Sequence, residues 1–199
     1  EEEQRNYRNA KVGIAGLSVG SAVLEALVVS GGSKVLKIAD FDVVEVSNLN
    51  RIRAKLTDVG ENKCFVAARE AWELDPFAEL HLFESGVSAG NLEKFIAGEP
   101  KLDVFVDEMD SINMKVLARR ICKKAHIPVL MATDNGDSVI LDVERFDLEP
   151  ARMPFHGLMG DIKPEDAKNL PPKEWVKLAK KIIGEEYMSV RHRKSLPEI

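Results

Sequence analysis

Two cysteines in 199 residues leave little for covalent or metal bracing. Cys64 and Cys122 form no Cys-x-x-Cys pair, so no structural zinc is expected, and a reduced cytoplasm suits them better than a disulfide framework. No apolar run approaches the roughly 20 residues that span a bilayer, so no membrane partner is expected. The opening Glu-Glu-Glu-Gln-Arg has no signal-peptide character and reads like the middle of a helix, which suggests that the chain begins inside a longer protein. A basic surplus is missing too. Lys and Arg number 28 against 33 Asp and Glu, a net charge of -5, so there is no general basic surface for nucleic acid. Repeats and low-complexity tracts are absent. What remains is 45% hydrophobic and 31% charged, the composition of an ordinary globular protein.

Apolar runs alternate with segments of helical period. Val12 to Ala15, Val35 to Ala39, Glu79 to Phe83, Asp103 to Asp107, Pro128 to Met131 and Val139 to Val143 read as strands. Val19 to Ser30, Gly60 to Leu74, Asn91 to Ala97 and Ile112 to Ala125 read as helices. This alternation predicts an α/β fold, a Rossmann-like, doubly wound and mostly parallel sheet with helices on both faces. Residues 1–150 form the expected nucleotide-binding domain. Prolines then cluster, and Trp175, Leu178, Ala179, Ile182 and Ile183 recur at helical spacing before Gly184. Residues 151–199 are therefore a Pro-rich, helical C-terminal extension, placed where the chain would lead into a further domain.

A strand, a small-residue turn and a helix N-terminus together make an anion site. Here the turn is Gly16-Leu-Ser-Val-Gly-Ser21. Read without gaps against G-x-G-x-x-G, Gly16 holds the first position, Ser18 and Ser21 replace the second and third glycines, and Gly20 lies between them. A Ser18 hydroxyl can donate where a glycine would only let backbone approach. Asp40 follows Gly16 by 24 residues at the end of the second strand, where an acidic residue binds ribose hydroxyls. Asp42 either shares that role or caps the loop. Arg51 and Lys63 come next. A redox dinucleotide site does not need them, whereas transfer of an adenylyl group, which gathers negative charge on phosphoryl oxygens, needs fixed cations and Mg²⁺.

The ordered set Asp40-Phe-Asp-Val-Val-Glu-Val-Ser-Asn-Leu-Asn-Arg51, Val59-Gly-Glu-Asn-Lys63 and Asp107-Glu-Met-Asp-Ser111 resembles the nucleotide-binding domain shared by ThiF, MoeB and the ubiquitin-activating enzymes. The resemblance covers roughly residues 10 to 135. It implies that Asp40 binds ribose, that Asn48, Arg51 and Lys63 contact phosphates with the Gly16–Ser18–Gly20 turn, and that Asp110 holds Mg²⁺. Arg51, Lys63 and Asp110 are then the catalytic set. The implied activity is ATP- and Mg²⁺-dependent adenylylation of a carboxylate, such as the C-terminus of a small ubiquitin-like or sulfur-carrier protein, by a cytoplasmic homodimer. Ser111 stands where the family has Asn, and Lys115 near its usual Arg. Family members that pass the modifier to their own thiol carry a cysteine after this core; none follows Cys122.

Met131-Ala-Thr-Asp-Asn-Gly136, Leu141 to Pro150 and His156 to Asp161 resemble a bacterial ThiF-like subgroup, some of whose members are fused to a nitroreductase-like domain. His156, beside glycine, reads as a structural residue. Two competing readings stay open: a non-catalytic nucleotide-binding or dimerisation module of a larger protein, and an NAD(P)- or FAD-binding oxidoreductase domain.

Overall fold

A computed structural model of the chain describes residues 1–134, 139–168, 170–184 and 187–188. Asn135 and Gly136 of the subgroup segment lie outside these. The chain resolves into two compact units, Glu1–Asp110 and a second that begins at Ser111.

The first unit carries α1 (Glu2–Asn9), β1 (Lys11–Ala15), α2 (Gly20–Val29), β2 (Val35–Ala39), α3 (Lys63–Leu74), β3 (Glu79–Phe83), α4 (Leu92–Ala97) and β4 (Val104–Asp107). Its strands lie in the order β3-β2-β1-β4, all parallel. Parallel strands need crossover connections, and here helices or long loops supply them. The runs of β1, β2 and β4 are almost continuously apolar because these strands are buried on both faces, whereas the edge strand β3 is only half-buried.

Strand alternation sends Ile14, Leu36, Ile38 and Val106 to one face. There they meet Leu24 and Val28 of α2 and the alanines 67, 68 and 71 of α3. Small side chains let α3 lie close to the sheet. Gly13 and Lys37 point to the other face. A Cβ on Gly13 would lie 2.2 Å from Leu102 Cδ1, so only glycine fits there. Phe95 of α4 packs edge-to-face on Phe83 and Phe105, with centroids 4.9 and 6.2 Å away. Lys37 is buried and donates to the carbonyls of Phe95 and Gly98 at 2.9 Å each. Its ammonium thus meets the negative end of α4. Burial still lowers its pKa, against the charge of Glu99, which raises it.

The second unit holds α5 (Ile112–Ala125), an antiparallel pair β5 (Val129–Asp134) and β6 (Val139–Glu144), then α6 (Pro164–Lys168) and α7 (Pro172–Ile183). The expected amphipathic helix is α7. Trp175, Leu178 and Ile182 pack against a core of Ile112, Val116, Phe155, Met159 and Ala167. A fully buried ion pair, Arg119 to Glu144 at 2.5 Å, runs through this unit. The guanidinium lies 3.8 Å over the Phe155 ring, and Glu144 Oε1 accepts the Phe155 N–H. Burial raises the Glu144 pKa, with Arg119 pulling it back down.

The strands and helices follow the sequence pattern closely: β2, β3 and α5 have the expected bounds, and other ends shift by at most three residues. In α3 the shift has a cause. Asn62 caps the helix by accepting the Cys64 N–H at 2.9 Å, so the helix starts at Lys63 and not at Gly60.

Candidate nucleotide site

The turn after β1 is built on two glycines with different duties. Gly16 has φ +94°, and a Cβ there would lie 2.2 Å from the Glu108 carbonyl oxygen. Its N–H donates to Ala39 at 2.9 Å. Gly20 opens α2, and a Cβ on it would lie 2.5 Å from Ile14 Cγ2. Close packing of helix on strand is the task of the third glycine in the dinucleotide fingerprint. The ungapped reading gave that position to Ser21. Here Gly20 has it, and the turn is one residue shorter than G-x-G-x-x-G. No second glycine is present, and Ser18 occupies the middle of the turn.

Asp40 is buried at 8% exposure and locked by backbone donors. Its Oδ2 accepts the Leu17 N–H at 2.7 Å and its Oδ1 the Asp42 N–H at 2.9 Å. The carboxylate therefore ties the glycine turn to the end of β2. Each oxygen keeps a further lone pair for a sugar hydroxyl.

Lys63 is brought to the same place from 23 residues further along. Its side chain is 6% exposed, and its Nζ donates to Asp42 Oδ2 at 2.8 Å and to Ser18 Oγ at 3.3 Å. Its own N–H donates to the Asp42 carbonyl at 2.9 Å. An ammonium therefore stands at the glycine turn. Because Ser18 accepts from Lys63, the hydroxyl proton remains to donate elsewhere. Asp42 joins the site as the partner of Lys63, which the Asp-x-Asp spacing allowed but did not specify.

The other sequence candidates are placed more loosely. Asn48 is buried, and its Oδ1 accepts the Glu45 N–H at 3.0 Å, capping a 3-10 turn, Val46–Asn48. Arg51 is exposed, and its Nη1 donates to the Ser47 carbonyl at 2.9 Å and Asn50 Oδ1 at 3.1 Å. It is folded back on its own loop. Asp110 is exposed just beyond β4, while Asp107 is buried with Oδ1 accepting the Met109 N–H at 3.2 Å. Among the described residues no three His, Cys, Asp or Glu side chains are grouped to enclose a metal.

Cys64 follows Lys63 but is fully buried, and its Sγ accepts the Asp40 N–H at 3.1 Å. Burial pushes its pKa up to about 12, against the hydrogen bond from Asp40. A thiol so held is structural. His156, in the second unit, has both ring nitrogens engaged, Nε2 by Asp142 and Nδ1 by Arg152 at 2.5 Å. A guanidinium only donates, so Nδ1 accepts and Nε2 carries the proton.

A parallel sheet, a glycine turn at a helix N-terminus and a buried aspartate at the end of the next strand define an α/β domain of the Rossmann class. The sequence matches the ThiF family over residues 1–142, and the chain belongs to that family. It is similar to protein MT1398 of Mycobacterium tuberculosis, at 40% identity over 198 residues, covering 100% of this chain and 27% of that protein. It is also similar to the tRNA threonylcarbamoyladenosine dehydratase of Bacillus subtilis, at 27% identity over 75% of this chain and 61% of the relative. The chain thus spans less than two thirds of either. Among solved structures, E. coli tRNA N6-threonylcarbamoyladenosine dehydratase in complex with ATP superposes with a TM-score of 0.63 at 24% identity, over 70% of this chain and 57% of that one. That likeness is one of fold.

Proposed function

We propose that this chain activates a carboxylate with ATP and Mg²⁺, joining it to the α-phosphate and releasing pyrophosphate. The observation that carries the reading is the buried Lys63 ammonium held at the glycine turn by Ser18 and Asp42. A redox nucleotide has no chemical need for a fixed cation there. An adenylyl transfer gathers charge on phosphoryl oxygens at that point.

The chemistry asks for no base. A carboxylate is ionised near neutral pH, so its oxygen attacks the α-phosphorus directly while the bond to the bridging oxygen of pyrophosphate breaks. Asp40 would orient the ribose, and Lys63 and the Ser18 hydroxyl would bind phosphate. Arg51 would swing from the Ser47 carbonyl to fork onto phosphate oxygens. Asn48 would act from beneath, by shaping the loop that bears Arg51. Asp110 fits Mg²⁺, which takes one or two protein carboxylates and completes its shell with phosphate and water. When bound, the metal neutralises phosphate charge.

For the acceptor we favour the C-terminus of a small ubiquitin-like or sulfur-carrier protein, taken up by a homodimer. Relatives named for tRNA chemistry make a tRNA-borne carboxylate the second reading. Residues 1–110 weigh against it, since they hold twelve Lys and Arg against twenty Asp and Glu. The test is ATP–pyrophosphate exchange, run separately with candidate carrier proteins and with tRNA from the same genome. Exchange that depends on a carrier supports the proposal, and exchange that depends on tRNA selects the second reading. ATP binding without exchange under either condition would leave a non-catalytic nucleotide-binding module.

A further inference from the structure

Phe41 stands between Asp40 and Asp42 and is 72% exposed, yet it is firmly seated. Gly86, in the loop after β3, has φ +70°, and a Cβ there would lie 2.9 Å from Phe41 Cδ1 and 3.2 Å from Phe41 Cβ. Only glycine leaves room for the ring. The Asn62 carboxamide fastens the two loops together, donating to the Asp40 carbonyl at 3.3 Å and the Glu84 carbonyl at 3.0 Å. Both neighbours of Phe41 are anchored as well, Asp40 by the glycine turn and Asp42 by Lys63. A single exposed apolar residue is ordinary on a protein surface. Packing alone does not account for a ring whose backbone is anchored on both sides, yet which stays open to solvent one residue from Asp40.

The strand order says what the ring faces. With the sequence β3-β2-β1, the glycine turn after β1 lies on one side of the β2 end, and the Gly86 loop after β3 lies on the other. A nucleotide whose phosphates sit at Ser18 and Lys63 and whose ribose sits at Asp40 must carry its base onward, over the β2–β3 side. We propose that Phe41 is the base platform of the nucleotide site, with the purine stacked on its open face and Gly86 the seat that makes the platform possible. This rests on the ATP reading above and deepens it. Stacking on an aromatic ring is tolerant of base identity. Phe41 therefore supplies affinity for the base and leaves the choice between adenine and guanine to other groups.

The test compares ATP·Mg²⁺ with inorganic tripolyphosphate, which has the phosphates and no base, by calorimetry on wild type, Phe41→Ala and Phe41→Trp. Phe41→Ala should weaken ATP about tenfold and GTP by a similar factor, the scale of losing one aromatic stack. Tripolyphosphate binding should be unchanged. Phe41→Trp should keep ATP affinity and gain an indole fluorescence signal that ATP quenches and tripolyphosphate does not. Equal weakening of ATP and tripolyphosphate in Phe41→Ala would mean that the ring only shapes the loop, and would overturn the proposal. Unchanged ATP affinity in that variant would also overturn it while leaving the ATP reading intact. A wild-type chain that binds no ATP would end both.

Discussion

A lysine ammonium at 6% side-chain exposure requires partners, and Lys63 has two, Asp42 and Ser18. Burying an unpaired charge would be costly, so Asp42 is a condition of having a cation at the turn at all. Asp42 is itself 49% exposed, which keeps the desolvation of the pair modest. Lys63→Met keeps the aliphatic stem and removes the charge. We expect its melting temperature without nucleotide to stay within a few degrees of wild type, and ATP to stabilise it far less; an unaltered ATP-induced shift would remove Lys63 from the site. Cys64 gives a second prediction at this scale. Its folded pKa of about 12 exceeds the ordinary 9.0, so the folded state keeps a proton that the unfolded chain loses. This group's contribution to stability is therefore intact below pH 9.0 and declines as pH climbs from there toward about 12. At pH 8 iodoacetamide should alkylate Cys64 only after denaturant is added, as read by mass spectrometry, and rapid labelling of the folded chain would contradict the buried geometry.

At the scale of elements, most of the fold was legible because strands buried on both faces are apolar runs and helices carry their own period. Gly184 after α7 marked an element end in the sequence, whereas the Asn62 cap that starts α3 at Lys63 showed only in its hydrogen bond to the Cys64 N–H. The contents of the turn were harder to read. An ungapped comparison assigns roles by count, and a turn shortened by one residue shifts them, so the duty of Gly20 shows only through its contact with Ile14. Lys37 was illegible for a related reason. Within Val35–Ala39 it breaks an apolar run, and nothing nearby in sequence reveals that its ammonium ends on α4, 58 residues away. Phe41 with Gly86 and Arg119 with Glu144 are also contacts between distant segments, invisible to any local pattern. Two substitutions test these assignments by denaturant unfolding. Gly20→Ala should cost about 1–3 kcal/mol, because its methyl would press on Ile14, itself fully buried and unable to yield. Lys37→Met should cost about 2–4 kcal/mol. It relieves a buried charge but leaves the Phe95 and Gly98 carbonyls without their donor, and each orphaned acceptor costs roughly 1–3 kcal/mol. A variant as stable as wild type would mean that water replaces the ammonium at the end of α4.

For the whole molecule, charge and ligand belong together. The first unit holds twenty acidic residues against twelve basic ones, yet the basic residues it has include Lys63, which the fold brings to the glycine turn, and Arg51 in the loop after β2. An acidic body repels a free polyphosphate, and Mg²⁺ both reduces the charge of ATP and bridges it to a carboxylate. ATP binding should therefore depend strongly on the metal, with Asp110 as the protein's contribution to that dependence. A ligand at a hundredfold excess over its Kd stabilises the folded state by about 2.7 kcal/mol. For a chain of this length that corresponds to a rise of roughly 5–10 °C in melting temperature. We expect a shift of this size with ATP and Mg²⁺ together, a much smaller one when EDTA removes the metal, and little with NAD⁺ or FAD. Asp110→Asn should fold as wild type does, because Asp110 is exposed and lies outside the apolar runs. In that variant adding Mg²⁺ should no longer enlarge the effect of ATP. A variant in which Mg²⁺ still matters as much would place the metal on phosphate alone. A larger shift with NAD⁺ than with ATP in the wild-type protein would instead make the site that of an oxidoreductase, with Lys63 serving a dinucleotide pyrophosphate.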